Sequence, residues 1–111
     1  MKTSEVLTRA RHLLAGGWSE PFSVAADGTL RDREHEDAVR FCTRDALALA
    51  SRVDGAADEA AEIALNRMLR AMGPTQSFSL WVALPGRTHA EVLELFARAI
   101  AHSVVEESRH V

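Results

Sequence analysis

The stretch THAEVLELFARAIAHSVV, residues 88–105, decides the class of fold. Thr88-His89-Ala90-Glu91 is a capping box, in which a hydroxyl and a carboxylate three residues apart satisfy the free amides of a first helical turn. Val92, Leu93, Phe96, Ala99, Ile100 and Val104 then recur at three- and four-residue intervals, giving one apolar face. The spacing predicts a helix from Thr88 to about Val105, with Glu106–Val111 as a polar tail.

Working outward, Phe78, Leu80, Val82 and Leu84 alternate, although Trp81 interrupts them, and residues 75–84 are expected to be extended. Gly73-Pro74 terminates a helix over Ala57–Met72 whose face is Ala57, Ala61, Ala64, Leu65, Met68 and Met72. Gly55 is expected to break the chain before it. A helix over Glu34–Arg52 is predicted from Val39, Cys42, Ala46, Leu49 and Val53, with Glu34, Glu36 and Asp37 at the positive end of its dipole. The first helix, Ser4–Ala15, carries Val6, Leu7, Ala10, Leu13 and Leu14 on one face. Thr3 or Ser4 is its expected cap, and Gly16-Gly17 its stop. Between these two helices the period vanishes. Phe22-Ser23-Val24, then Asp27-Gly28 and Leu30, suggest a short hairpin or ordered loop within residues 18–33. The expected fold is therefore mainly α: a compact bundle of about four helices, with a short irregular or β-hairpin segment between the first two.

Composition agrees with one such domain over residues 1–111. The chain is 47% apolar and 26% charged, ordinary values for a globular protein. At this length about two thirds of the unfolded surface can be buried. Acids exceed bases by 16 to 13, so the basic footprint of a nucleic-acid binder is lacking. No apolar run approaches the roughly 20 residues that span a bilayer. A lone cysteine, Cys42, excludes an internal disulfide, and Met1-Lys2-Thr3 leads directly into an amphipathic pattern, which together predict a cytoplasmic protein.

Candidate chemistry is sparse. Asp32-Arg33-Glu34-His35-Glu36-Asp37 offers metal-ligating groups, but Val39 stands where the helical zinc signature needs a second histidine. The run reads better as a solvated helix start, and neither a metal nor a cofactor is expected. His35 cannot activate Cys42, since seven helical residues separate them by about 10 Å along the axis. Cys42 lies on an apolar stripe and is read as a buried, inert thiol. Arg33, Arg40 and Arg44 could line a phosphate backbone, yet Glu36 and Arg40 also form a favourable i, i+4 pair on a solvated face. The better candidate is Pro85-Gly86-Arg87-Thr88-His89: amides at a helix start, a guanidinium and an imidazole suit a phosphate or carboxylate. Trp18 and Trp81 join Arg87, Thr88 and His89 as candidate ligand contacts, against the competing reading of both as packing residues. No catalytic residue is assigned.

Three pieces carry a resemblance: Gly17-Trp18 with Asp27-Gly28; Ala38-Val39-Arg40-Phe41-Cys42 leading to Ala46-Leu47; and Trp81 with Pro85-Gly86-Arg87-Thr88 and Glu91-Val92-Leu93. In that order and spacing the chain resembles a family of small, uncharacterised bacterial and phage proteins, a domain of unknown function. Two positions depart from the pattern. Val82-Ala83 follows Trp81 where the family often has Asn-Asp, and Asp45 stands where a small residue is favoured. The resemblance implies a mainly helical fold and no particular activity.

Three functions compete at this point. The leading one is a non-enzymatic helical domain that binds a protein partner and itself, because four amphipathic segments supply more apolar face than one small core requires. A second is a small-ligand or anion-binding protein, or an enzyme, with a pocket near the start of the last helix. The third is a phage or mobile-element accessory protein that inhibits a host protein.

Overall fold

The computed structural model describes residues 1–109, which form five helices: α1 (Thr3–Ala15), α2 (Thr43–Ala50), α3 (Gly55–Met72), α4 (Phe78–Ala83) and α5 (His89–Arg109). The capping box opens α5 as its sequence dictates: Thr88 N–H donates to Glu91 Oε1 at 2.9 Å, and Glu91 N–H donates to Thr88 Oγ1 at 3.1 Å. Val92, Leu95, Phe96 and Ala99 form the buried face. The helix continues beyond Val105, because its last turns have work on α1. Glu107 accepts from the N–H of Ser4 at 3.1 Å and from the Ser4 hydroxyl. The first turn of α1 is thus closed by a carboxylate from α5 and not by Thr3 or Ser4. Most of the expected polar tail is helix; His110 and Val111 lie outside the described residues.

One core joins all five helices. Val6, Leu7 and Leu14 of α1 meet Ala46 and Leu47 of α2, Leu65 and Leu69 of α3, Trp81 of α4 and Leu95 and Phe96 of α5. Each Val, Leu or Phe among them, removed from water, contributes about 1.5–3 kcal/mol. Phe78 meets Phe96 edge to face, with centroids 6.0 Å apart. α3 starts earlier than expected: Asp54 caps it by accepting from Ala56 N–H at 3.0 Å and Ala57 N–H at 3.3 Å, so Gly55 opens the helix. The chain break falls instead at Arg52 and Val53, which both have positive φ, 55° and 60°.

Three expectations are corrected. Within residues 75–84, Phe78–Ala83 is helical and not extended, for Phe78, Trp81 and Val82 are the buried positions, the i, i+3, i+4 set of a helix, while Leu80 points outward. Ser77 caps that helix, its Oγ accepting from Leu80 N–H at 3.4 Å. The second helix is only eight residues long. Val39 and Arg40 both donate backbone N–H groups to Val24 O, at 3.0 and 3.2 Å, and those amides are lost to any helix over 34–42. Residues 33–37 make turns, and of the expected stripe Cys42 and Ala46 are buried while Val39 and Val53 are exposed; Leu47, Ala48 and Ala50 complete the buried face of α2. The 18–33 segment, finally, forms no hairpin of strands. Val24 pairs singly with Leu30 on one side and with Arg40 on the other, and Trp18 pairs with Phe41.

The glycine stop after α1 has a second role. A Cβ on Gly17 would sit 2.6 Å from Val39 O and 2.6 Å from Arg40 Cγ, so only glycine lets the two backbones close. Phe41 N–H then donates to Gly17 O at 3.0 Å, and Ser19 N–H to Phe41 O at 3.1 Å.

Candidate functional site

The five residues singled out as ligand contacts fall into two pairs and a cap. Arg87 Cζ lies 3.7 Å from the centre of the Trp81 ring, a cation–π contact. Its Nε donates to Trp81 O at 3.0 Å, and its Nη1 to Glu91 Oε2 at 2.9 Å. Trp81 is buried. His89 Nε2 donates to Leu14 O at 2.6 Å, which requires the tautomer protonated at Nε2, since a carbonyl offers no proton. The same imidazole stacks on Trp18 with centroids 6.0 Å apart. Thr88 is the helix cap. Hydrogen bonds from the Thr88 amide and hydroxyl, followed by Arg87, hold the Glu91 carboxyl below the usual range. The polar groups of this cluster bond chiefly to one another, fastening α5 to α1 and α4.

A different constellation organises the non-helical segment, and sequence reasoning did not find it. Glu20 Oε1 accepts from Thr43 N–H and Thr43 Oγ1, both at 2.8 Å, and from Trp18 Nε1 at 3.2 Å. Ser23, fully buried, accepts from Cys42 N–H at 3.2 Å and donates to Asp45 Oδ2 at 2.7 Å. Asp45 in turn faces Arg33 Nη1 at 3.6 Å. Two carboxylates and a serine therefore clamp residues 18–33 to the start of α2. Nothing local couples Glu20 to Thr43, 23 positions on.

Cys42 belongs to the same joint. It is buried, and its Sγ accepts from Asp45 N–H at 3.4 Å as the cap of α2. Burial pushes the thiol above its ordinary pKa, which leaves it a poor nucleophile. His35 Nδ1 accepts from Asp37 N–H at 3.1 Å in a surface turn. Arg40 is drawn into the bridge to Val24, so the helix that would set it one turn from Glu36 does not form.

Above the clamp the segment turns apolar side chains outward. Phe22 and Leu30 are 58% and 61% exposed, and Val39 is 45% exposed. Phe22 and Leu30 line one shallow concavity of about 440 Å³ with Arg31, Asp32 and His35. A second hollow, about 380 Å³, lies between Glu20, Thr43, Asp58 and Phe78.

Among known proteins, the model of a family of unknown function (DUF6197) matches residues 1–102. No curated protein and no solved structure matches the chain. No helix among the described residues is long and apolar enough to cross a membrane.

Proposed function

We infer that this chain, which belongs to the family of unknown function DUF6197, works by binding: it is a helical protein-interaction domain that associates with a second copy of itself and with a protein partner. The observation that carries this reading is the placement of Phe22 and Leu30. Both lie on the one long non-helical segment, both are more than half exposed, and Arg31, Asp32 and His35 surround them. An apolar centre within a polar rim is the anatomy of an interface, and large side chains there contribute most of the affinity. The Glu20 and Ser23 clamps hold this surface in one conformation beforehand, which lowers the entropy lost on association.

Sedimentation of the wild type beside Phe22→Ser/Leu30→Ser tests it. The wild type is expected to sediment as a multiple of the 12.2 kDa chain, and the variant as a monomer with an unchanged helical circular-dichroism spectrum. A wild type that stays monomeric through the hundred-micromolar range overturns self-association.

A further inference from the structure

Val24 is the middle of a narrow strip in which three passes of the chain lie side by side. It pairs with Arg40 on one side and antiparallel with Leu30 on the other, and the Leu30 pass is an open edge. Ala25 N–H donates to Thr29 O at 2.9 Å, and Arg31 N–H to Ser23 O at 3.0 Å. Bonds from the neighbours thus bracket the Val24–Leu30 pair, and in such a pair the Leu30 N–H and C=O point away from Val24. Among the described residues no group accepts from Leu30 N–H, and Leu30 O meets only Arg31 Nη1, at 2.9 Å. The edge also carries a charge pattern. Asp27 Oδ1 accepts from Thr29 N–H at 2.9 Å and from Thr29 Oγ1 at 2.6 Å, which fixes the carboxylate beside Thr29.

We propose that a second copy seats on this edge: the two chains pair antiparallel about a two-fold axis, with Leu30 opposite Leu30. The inference rests on the self-association read above and gives it a register. Leu30 N–H of each copy donates to Leu30 O of the other, so the free donor finds an acceptor in both chains. A two-fold contact needs a surface complementary to itself, and the charges supply it. Residues equally spaced either side of 30 face each other, which sets Arg31 opposite Thr29 of the second copy, about 4.5 Å away between Cα atoms. There it meets the Asp27 carboxylate that Thr29 holds. Each Arg31 leaves its own Leu30 carbonyl for that carboxylate, exchanging a hydrogen bond within the chain for an ion pair between chains. The two Leu30 side chains meet at the axis, and Phe22, which shares the concavity with Leu30, flanks them on each copy. A slip of one residue would turn the two leucines to opposite faces.

Hydrogen exchange at the Leu30 amide is followed by NMR on the wild type, at dilutions where sedimentation gives monomer and at concentrations where it gives dimer. Exchange is expected to slow about tenfold or more in the dimer. A dimer whose Leu30 amide exchanges as fast as the monomer's overturns the pairing and leaves self-association standing; a chain that is monomeric throughout overturns both. Charge reversal supplies the second test. Arg31→Glu and Asp27→Arg each set like charges across the axis, and each should raise the dimer dissociation constant about tenfold. Mixed in equal amounts, the two variants face opposite charges at both contacts, and a heterodimer of near wild-type affinity is expected. A mixture no tighter than either variant alone overturns the proposal. The wild-type amide decides by itself if Asp27→Arg, which also loses the bonds to Thr29, does not fold.

Discussion

The pairing of α1 with α5 and the segment from Gly16 to Cys42 are held by opposite means. Between the helices, Val6, Leu7, Leu14, Leu95 and Phe96 are wholly buried, and many interchangeable apolar contacts share the energy. The segment has few apolar anchors, Trp18 and Phe41 half-buried against the core and Val24 and Ala25 buried outside it, and rests on single polar groups and one glycine: Glu20, Ser23, Asp45 and Gly17. A distributed core tolerates variation and sets global stability. A clamped loop depends on individual residues, and is free to change what it displays. The contrast explains why exposed Phe22 and Leu30 occur here, where backbone bonds and half-buried carboxylates fix the conformation and the side chains are not needed for packing.

That contrast can be broken first at the core. Phe96→Ala should lower the unfolding free energy by about 3–5 kcal/mol, measured by urea denaturation, with one transition for the whole molecule. A loss below 1 kcal/mol would mean that α5 is not the centre of the fold. Gly17→Ala sharpens the comparison. Its new Cβ collides with Val39 O, and a loss of about 1–3 kcal/mol is expected. Hydrogen exchange should quicken at the amides of Ser19, Val24 and Phe41 while those of α1 and α5 keep their protection. Equal loosening everywhere would show that the segment is not a separate unit.

How much of this was legible follows the same division. The α5 stretch and its capping box could be read outright, because period and cap are local signals. α1 and α3 could be read to within a few residues for the same reason. The missing half of the second helix could not, since the amides of Val39 and Arg40 are claimed by Val24, some 15 residues away. α4 was misread because six residues satisfy a two-residue and a three-residue period nearly equally, and only the burial of Trp81 beside Val82 decides. Of the candidate site, Arg87, Thr88 and His89 were noticed for their chemistry, and they are found bonded within the fold. Glu20 and Ser23 were passed over, since the partners that join them to α2, Thr43, Cys42 and Asp45, lie at least 19 positions away.

Two smaller effects complete the series. Val53 combines a branched Cβ with a φ of 60° and an exposed side chain, an arrangement that stores strain without packing in return. Val53→Gly should raise stability by about 0.5–1 kcal/mol, after the added freedom of the unfolded glycine is subtracted. No gain in thermal melting would place the strain elsewhere. At Glu91 the folded-state pKa is depressed, so its stabilisation is present above the ordinary carboxylate value of 4.5 and fades as the pH falls through the lower folded value. Glu91→Gln should flatten the acid limb of the stability curve below pH 4.5 without altering its shape at neutral pH. An unchanged acid limb would show that the cap carries no pH dependence.

The contact between Ser4 and Glu107 spans 103 residues, and it gives the chain an order of assembly. α1 is made before α5, yet its opening turn and much of its apolar face find their partners there. Until α5 has left the ribosome, Val6, Leu7 and Leu14 lack the cover that Leu95 and Phe96 give them, and the nascent chain exposes apolar surface. Closing so long a loop also places a large entropic barrier before the reward of packing, so folding should be slow for a helical protein of this size.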